Sequence, residues 1–228
     1  MFRTIAVALA ALSLAACTTT ATKTAFGTPA RPASGQRILT VKPDIELSLL
    51  TAAGMNERRA DWSDEARDNV ARALQTELQG RSHQFKPLDP DTAMGGRAGQ
   101  LLRLNNAVSD SILMSSYGAY RLPTKKTFDW TLGDGARTLG AAYDGDYALF
   151  ITARGNYASG GRVVAAIGLS MMGVGVPLGH QIVQASLVDL KSGQVIWFDV
   201  AVAGPSDDMR KPEGAASLVK AVLKNLPL

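Results

Sequence analysis

Hydrophobic and polar positions along the chain predict the strands of a mixed sheet. Residues 37–41 have the composition of a strand, and residues 45–49 alternate apolar and polar side chains as a half-buried strand does. Pro43 separates these two segments, so we expect a bulge or an edge position there. Residues 146–155 are almost continuously apolar and β-rich, which is typical of a central strand covered on both faces.

Three further segments have apolar residues at helical spacing. The first covers residues 61–80, where acidic and capping side chains begin the segment and a glycine ends it. The second covers residues 101–115, and the third begins at Pro212. Residues 127–133 predict either another strand or a loop that leads into a short helix over residues 134–142.

A β-hairpin near the C-terminus is the clearest element of the pattern. Residues 181–189 and 194–200 each predict a strand, and the short connection between them ends in Gly193. Together with a short strand at residues 83–88, these elements predict the α/β (α+β) fold class. We expect a single domain over residues 37–228, with a mixed sheet, a C-terminal β-hairpin and helices packed mainly on one face.

Residues 162–180 form an apolar, glycine-rich insertion between two predicted strands, and no residue from Val163 to Val188 carries a formal charge. A transmembrane helix would need more residues and fewer glycines and prolines. A buried helix over residues 162–172, followed by a glycine-rich turn, is a second interpretation. The third is a surface element that contacts a protein partner, a second copy or a lipid surface. Its contact residues would be Ile167, Leu169, Met171, Met172, Val174 and Val176.

The N-terminus predicts export and lipidation. Arg3 precedes an uncharged stretch, residues 5–14, which is too short to span a bilayer and is typical of a bacterial signal peptide. The following Leu14-Ala15-Ala16-Cys17 resembles the lipobox of bacterial lipoproteins, in which the cysteine is diacylated and becomes the new N-terminus. An ordinary secretory signal with a cysteine nearby by chance is the alternative. We predict a signal peptide over residues 1–16 and an acylated, palmitate-type anchor at Cys17.

The residues after the cysteine suggest where the anchor resides. Thr18 stands where an Asp would resemble an inner-membrane retention signal, so we expect the periplasmic face of the outer membrane. Residues 17–36 are rich in Thr, Ala, Pro and Gly, which predicts a flexible tether between the lipid and the domain. Cys17 is therefore the expected point of contact with the membrane.

Composition adds little about activity. Of the 228 residues, 46% are hydrophobic and 19% are charged, which excludes the disordered, collagen-like and disulfide-scaffold classes. A net charge of +4 without a basic cluster gives no indication of a nucleic-acid partner. One cysteine and two distant histidines, His83 and His180, exclude zinc motifs built from several of these residues. We expect no metal and no cofactor.

Candidate catalytic chemistry is sparse. The chain has no serine-hydrolase elbow, nucleotide-binding loop or serine-acylase motif. Paired carboxylates at residues 89–91 and 144–146 fall in predicted turns, where they could bind calcium, although Asp side chains in turns mostly bond their own backbone. Residues 207–211 predict a solvated charged loop. An envelope hydrolase or sugar-binding protein that uses scattered carboxylates and Trp130 is the alternative function, and a cleft of converging carboxylates would favour it.

The chain resembles the envelope lipoproteins related to the curli-transport protein CsgG and the N-terminal domain of TolB. The resemblance rests on the lipobox at Cys17, the helix at residues 61–80 and the Asp-Tyr-Ala-Leu-Phe strand at residues 146–150. Residues 185–197 also look like that group's Leu-x-Asp-x-x-Thr-Gly-x-Val-x-Trp hairpin. The resemblance implies a small α/β domain and a non-enzymatic role in envelope assembly or transport, through oligomers or an inner-membrane machine. Residues 163–178 are too short to replace a pore-forming pair of hairpins, so we expect no pore.

These observations predict a lipoprotein anchored in the outer membrane that is not an enzyme. We expect it to act as an accessory protein, scaffold or assembly factor for an envelope transport or secretion system. Its expected partners are the membrane, through Cys17, and a protein or a second copy of the chain, through residues 163–178.

Overall fold

A mixed eight-stranded sheet lies at the centre of the protein. The computed structural model describes residues 19–25, 31–93, 96–118, 120–204 and 207–228, so the predicted signal peptide and Cys17 lie outside the described residues. The strands are β1 (Thr19–Thr24), β2 (Arg37–Val41), β3 (Asp44–Leu50), β4 (Asn56–Arg58), β5 (Gln84–Leu88), β6 (Tyr147–Ala158), β7 (Gly179–Asp189) and β8 (Val195–Val202). The described helices are α1 (Ala60–Leu78), α2 (Pro90–Ala93), α3 (Gly96–Ile112), α4 (Ala136–Tyr143), α5 (Gly160–Ser170) and α6 (Pro212–Val222).

β6 is the central strand of this sheet. One edge pairs antiparallel with β7, which pairs with β8, which in turn pairs with β1. The other edge pairs in parallel with β2 and then with β3, while β5 lies beside β2 and β4 beside β3. Asp44 is six positions after Ile38, whereas their partners Tyr147 and Thr152 are five positions apart. The extra residue confirms the bulge expected around Pro43.

Apolar cores lie on both faces of the sheet. Leu149 and Ile151 of β6 point into a core with α1 and α6, whereas Ala148 and Phe150 point into a core with α3 and α4. This confirms that β6 is covered on both faces, as its continuous apolar pattern predicts. The fold class, the mixed sheet and the C-terminal hairpin are confirmed. The expectation that helices pack mainly on one face is wrong, because the alternation along the central strands supplies two apolar faces to cover.

The prediction of a flexible tether over residues 17–36 is wrong for the part that forms the first described strand. Thr19–Thr24 form β1, which completes the edge of β8. The Thr22 hydroxyl donates a 2.7 Å hydrogen bond to the buried carboxylate of Asp199, and the Asn225 side chain donates to the Thr22 oxygen at 2.9 Å. Alternating threonines suit a strand, and pairing satisfies the backbone groups of an otherwise open edge.

The remaining predicted elements agree with the structure apart from their boundaries. The helix predicted at residues 61–80 is α1, and the second predicted helix is α3, which continues as a π-helical turn over Leu113–Tyr117. Residues 127–133 are a loop before α4, with one isolated bridge between Thr131 and Gln194. That bridge is too short to form the alternative strand.

Candidate functional site

The predicted insertion is a finger between β6 and β7, and we call residues 160–178 the α5 finger. The Ser159 side chain begins α5 by accepting a hydrogen bond from the Arg162 backbone N–H at 3.2 Å. Gly173, with φ of +80°, ends the helical turns. The N–H groups of Gly173 and Val174 donate to the carbonyl oxygens of Ser170 and Leu169, each at 3.0 Å. These paired bonds are the Schellman pattern, which reverses the chain toward β7.

Hydrogen bonds close the base of the α5 finger. The Ala158 N–H donates to the Leu178 carbonyl oxygen at 3.2 Å, which continues the β6–β7 ladder. Arg162 Nε donates to the Pro177 carbonyl oxygen at 2.8 Å and so ties the start of the helix to the returning segment. The Ser159 N–H also donates to the Leu50 carbonyl oxygen of β3 at 2.9 Å. The finger therefore has a defined shape at the end of the sheet.

The surface of the α5 finger is apolar and exposed to solvent. Along α5 only Ala166 is buried. Met171, Met172 and Ile167 are 83%, 77% and 54% exposed, and Leu169 and Val174 are also exposed. Val176, the sixth residue predicted for contact, is half-buried. The interpretation as a buried helix is wrong, because the finger extends from the hairpin end without a sheet face or helix over it.

A helix that is apolar on every side is normally covered by protein or lipid. α5 presents Val163, Val164, Ile167 and Leu169 in succession, and its side chains include no acid and no base after Arg162. No helix within the described ranges is long and apolar enough to cross a membrane.

The paired turn carboxylates serve local structure. Arg37 donates to both carboxylate oxygens of Asp146, and these bonds hold the Asp146 pKa below its ordinary value. The Asp91 backbone N–H and the Lys42 ammonium likewise lower the pKa of Asp89. In the part of the chain that the structure describes, no group of three or more His, Cys, Asp or Glu side chains could hold a metal ion. Asp146 and Asp89 thus have structural partners on the protein itself.

Trp130 does not offer a face for stacking a sugar. Its side chain belongs to the core beneath α3 and α4 and is buried. The Lys125 ammonium lies 4.8 Å from its ring centroid. Trp130 therefore does not provide the exposed ring that the sugar-binding alternative needs.

A stack of cationic and aromatic side chains lies near the base of the α5 finger, and the sequence pattern does not predict it. The Arg210 guanidinium lies 3.6 Å from the ring centroid of Tyr157 and 4.5 Å from that of Trp62. Arg59 lies 4.2 Å from the Trp62 centroid. Arg210 also donates two hydrogen bonds, of 2.9 and 2.8 Å, to Asp208. The expectation of a solvated loop at these charges is wrong, because the two aromatic rings bring the guanidinium onto the domain.

Comparisons with known proteins find solved structures of low similarity. No family model matches the chain, and no curated protein matches it. A solved structure of a PelC dodecamer from Paraburkholderia phytofirmans, a single-substitution variant, has 15% identity and a TM-score of 0.40 over 91% of this chain and 96% of that chain. A second PelC dodecamer structure has 15% identity and a TM-score of 0.39 over 91% and 95%. The C-terminal domain of LpoB from Salmonella enterica has 11% identity and a TM-score of 0.30 over 77% and 87%.

Proposed function

We propose that this chain is a lipoprotein held by acyl chains at Cys17 on the periplasmic face of the outer membrane. There it serves as a non-enzymatic accessory or scaffold protein of an envelope transport or secretion system. The resemblance of its motifs to the CsgG and TolB-related lipoproteins supports this role. The single observation that carries the proposal is the α5 finger, an exposed apolar projection that requires a contact outside the described domain, with lipid or with another chain.

Contact, not catalysis, is the chemistry that this surface offers. An enzyme site gathers polar or titratable groups in a cleft, whereas the α5 finger presents Val, Ile, Leu and Met side chains on a projection. Acyl chains at Cys17 would stabilise membrane binding by about 0.8 kcal/mol per buried methylene, which holds such a protein on the bilayer. The domain would thereby be available to a protein partner or to a second copy at the membrane surface.

Crosslinking in intact cells tests this function. A short amine-reactive crosslinker is applied to cells that produce the full chain, and the adducts are identified by mass spectrometry. We expect an adduct with another envelope protein or with a second copy, and we expect Cys17→Ala to lose it because the domain leaves the membrane. If the wild-type chain is anchored in the membrane but forms no crosslinked adduct, this result would contradict the scaffold role.

A further inference from the structure

The strand register places the start of the described chain and the α5 finger at the same end of the sheet. Thr19 of β1 pairs with Val202 of β8, and Val202 pairs with Ile182 of β7. β7 begins three residues earlier, at Gly179, where the finger returns to the sheet. The N-terminus of β1 therefore points toward the finger and away from the β7–β8 turn at the opposite end.

Chain length brings the predicted lipid anchor close to the finger. Cys17 precedes Thr19 by two residues, which span at most about 7 Å when fully extended. Across the sheet, Thr19 is two strands from β7, which is about 10 Å. Along β7, the residue level with Thr19 is Ile182, which is about 10 Å from Gly179. α5 itself has 11 residues and is about 16 Å long. A membrane that holds Cys17 is thus within reach of the finger.

We propose that the α5 finger is a second membrane contact, inserted into the leaflet that holds the acyl chains of Cys17. This inference rests on the proposed anchoring at Cys17. The sheet then stands with its Thr19 end on the bilayer, and the β7–β8 turn faces away from it. The anchor fixes the height of the domain, and the finger fixes its orientation.

The chemistry of the α5 finger suits lipid. Residues 163–178 contain neither a charge nor an aromatic ring, and α5 is apolar on all sides, so that lipid would surround it without requiring a matched surface. The backbone N–H groups of residues 171–174 are all satisfied within the finger, and the Ser170 hydroxyl donates to the Ile167 carbonyl oxygen at 2.8 Å. Because these polar groups already have hydrogen-bond partners, moving the finger from water into lipid costs less free energy.

The base of the α5 finger suits the headgroup region. Arg162 is the last charged residue before the apolar run, and its guanidinium lies at the base, bonded to the Pro177 carbonyl oxygen. A long basic side chain at this depth places its charge beside lipid phosphates while its stem stays in apolar surroundings. The resulting contact is interfacial, with apolar side chains buried about 5–10 Å below the headgroups.

A protein partner or a second copy fits the same surface less well. Centres of protein interfaces are enriched in aromatic, Met and Arg side chains, of which Trp, Tyr and Arg supply most of the binding energy, and a polar rim surrounds them. Residues 163–178 contain Met171 and Met172 but no aromatic or Arg anchor and no charged rim. Acylation at Cys17 would also bring this end of the sheet to the lipid bilayer.

Depth-dependent fluorescence quenching on the lipidated full chain tests the inference. Met171→Cys is purified from membranes, labelled with the fluorophore NBD and reconstituted into phosphatidylethanolamine–phosphatidylglycerol vesicles, with and without doxyl-labelled lipid. Lys191→Cys is the matched control, because Lys191 is exposed in the β7–β8 turn about 30 Å away along the sheet. Mass spectrometry of the same samples reports the acyl chains on Cys17, whose blocked sulfur does not take up the label.

We expect several-fold stronger quenching at Met171 than at Lys191, and Met172→Cys should repeat the result at Met171. An acylated chain whose Met171 label is quenched no more than the control would overturn the membrane contact and leave the anchored scaffold intact. A Met171 label that is shielded from water but insensitive to doxyl lipid would overturn it in favour of a protein interface. A chain without acyl groups on Cys17 would remove both proposals.

Discussion

Arg162 Nε donates a 2.8 Å hydrogen bond to the carbonyl oxygen of Pro177, fifteen residues further along the chain. The bond joins the first turn of α5 to the segment that returns to β7. A second, longer bond of 3.5 Å runs from Arg162 Nη1 to the Thr51 carbonyl oxygen after β3. One side chain therefore connects the two sides of the α5 finger to each other and to the turn after β3.

Replacing this side chain should loosen the finger without unfolding the domain. Arg162→Met keeps an unbranched stem but removes both donors, so we expect faster amide hydrogen exchange in residues 171–178 and little change in the two cores. Exchange measured by mass spectrometry checks the effect. Arg162→Lys, which keeps the charge but not the forked donors, should give an intermediate rate. Wild-type exchange in Arg162→Met would show that the Pro177 bond does not hold the finger.

Glycine positions in and beside the α5 finger should differ sharply in their tolerance of a methyl group. Gly179 has φ of +112°, and a Cβ there would collide with the Asn156 carbonyl oxygen. We expect Gly179→Ala to lower the free energy of unfolding by about 1–3 kcal/mol. Gly175 has φ outside the left-handed range and open space around it, so Gly175→Ala should change stability by less than about 0.5 kcal/mol. Urea unfolding followed by tryptophan fluorescence compares the two, and equal losses would contradict the geometry.

A buried carboxylate makes the attachment of β1 sensitive to pH. Asp199 is fully buried, and burial raises its pKa, while the hydrogen bond from the Thr22 hydroxyl opposes the shift. Because the folded-state pKa lies above the unfolded value of about 3.9, folding favours the protonated form. The contribution of Asp199 to stability is therefore greatest below that pH and is lost as pH rises through the folded pKa.

Thr22→Val should reveal this dependence. It removes the donor to Asp199 and leaves a buried carboxylate oxygen unpaired, at a cost of about 1–3 kcal/mol near pH 7. The loss should shrink as pH falls, because the hydrogen bond from Thr22 favours the charged form of Asp199. Thr24→Val, on the same strand and exposed, is the control with little expected effect. Urea unfolding at pH 7 and pH 4 checks the prediction, and the same loss at both values would contradict it.

The stacked guanidinium of Arg210 should stabilise the end of the sheet. Arg210→Ala removes the contacts with Tyr157 and Trp62 together with the paired bonds to Asp208, so we expect a loss of about 1–2 kcal/mol. The emission of Trp62 should shift as its ring gains solvent. Lys211→Ala changes an exposed neighbour and serves as the matched control. An Arg210→Ala protein as stable as that control would show that the stack contributes nothing.

The local pattern of apolar and polar residues is enough to predict most of the helices and strands, but it does not predict which other elements pack against them. α1 and the β7–β8 hairpin follow from apolar spacing and a turn glycine, which are properties of adjacent residues. β1 escapes prediction because its partner Asp199 lies 177 residues away, and threonine-rich composition alone does not show that an open strand edge exists. α5 is predicted as a helix, but hydrophobicity cannot show that no other element covers it.

The candidate site also has features that local sequence predicts and features that depend on contacts between distant residues. The lipobox at Cys17 and the six apolar residues of the insertion come from local sequence. Their placement at one end of the sheet follows only from the register that joins Thr19 to Val202 and Val202 to Ile182. Arg210 shows the limit of charge patterns, since the rings that receive its guanidinium belong to α1 and β6.

Anchoring through Cys17 is the central claim, and fractionation of cells that produce the wild-type chain or Cys17→Ala tests it most directly. With labelled palmitate in the medium, we predict that the wild-type chain takes up the label and sediments with the outer membrane. Cys17→Ala should take up none and leave that fraction for the soluble periplasm. Outer-membrane sedimentation of Cys17→Ala equal to that of the wild-type chain would contradict the account.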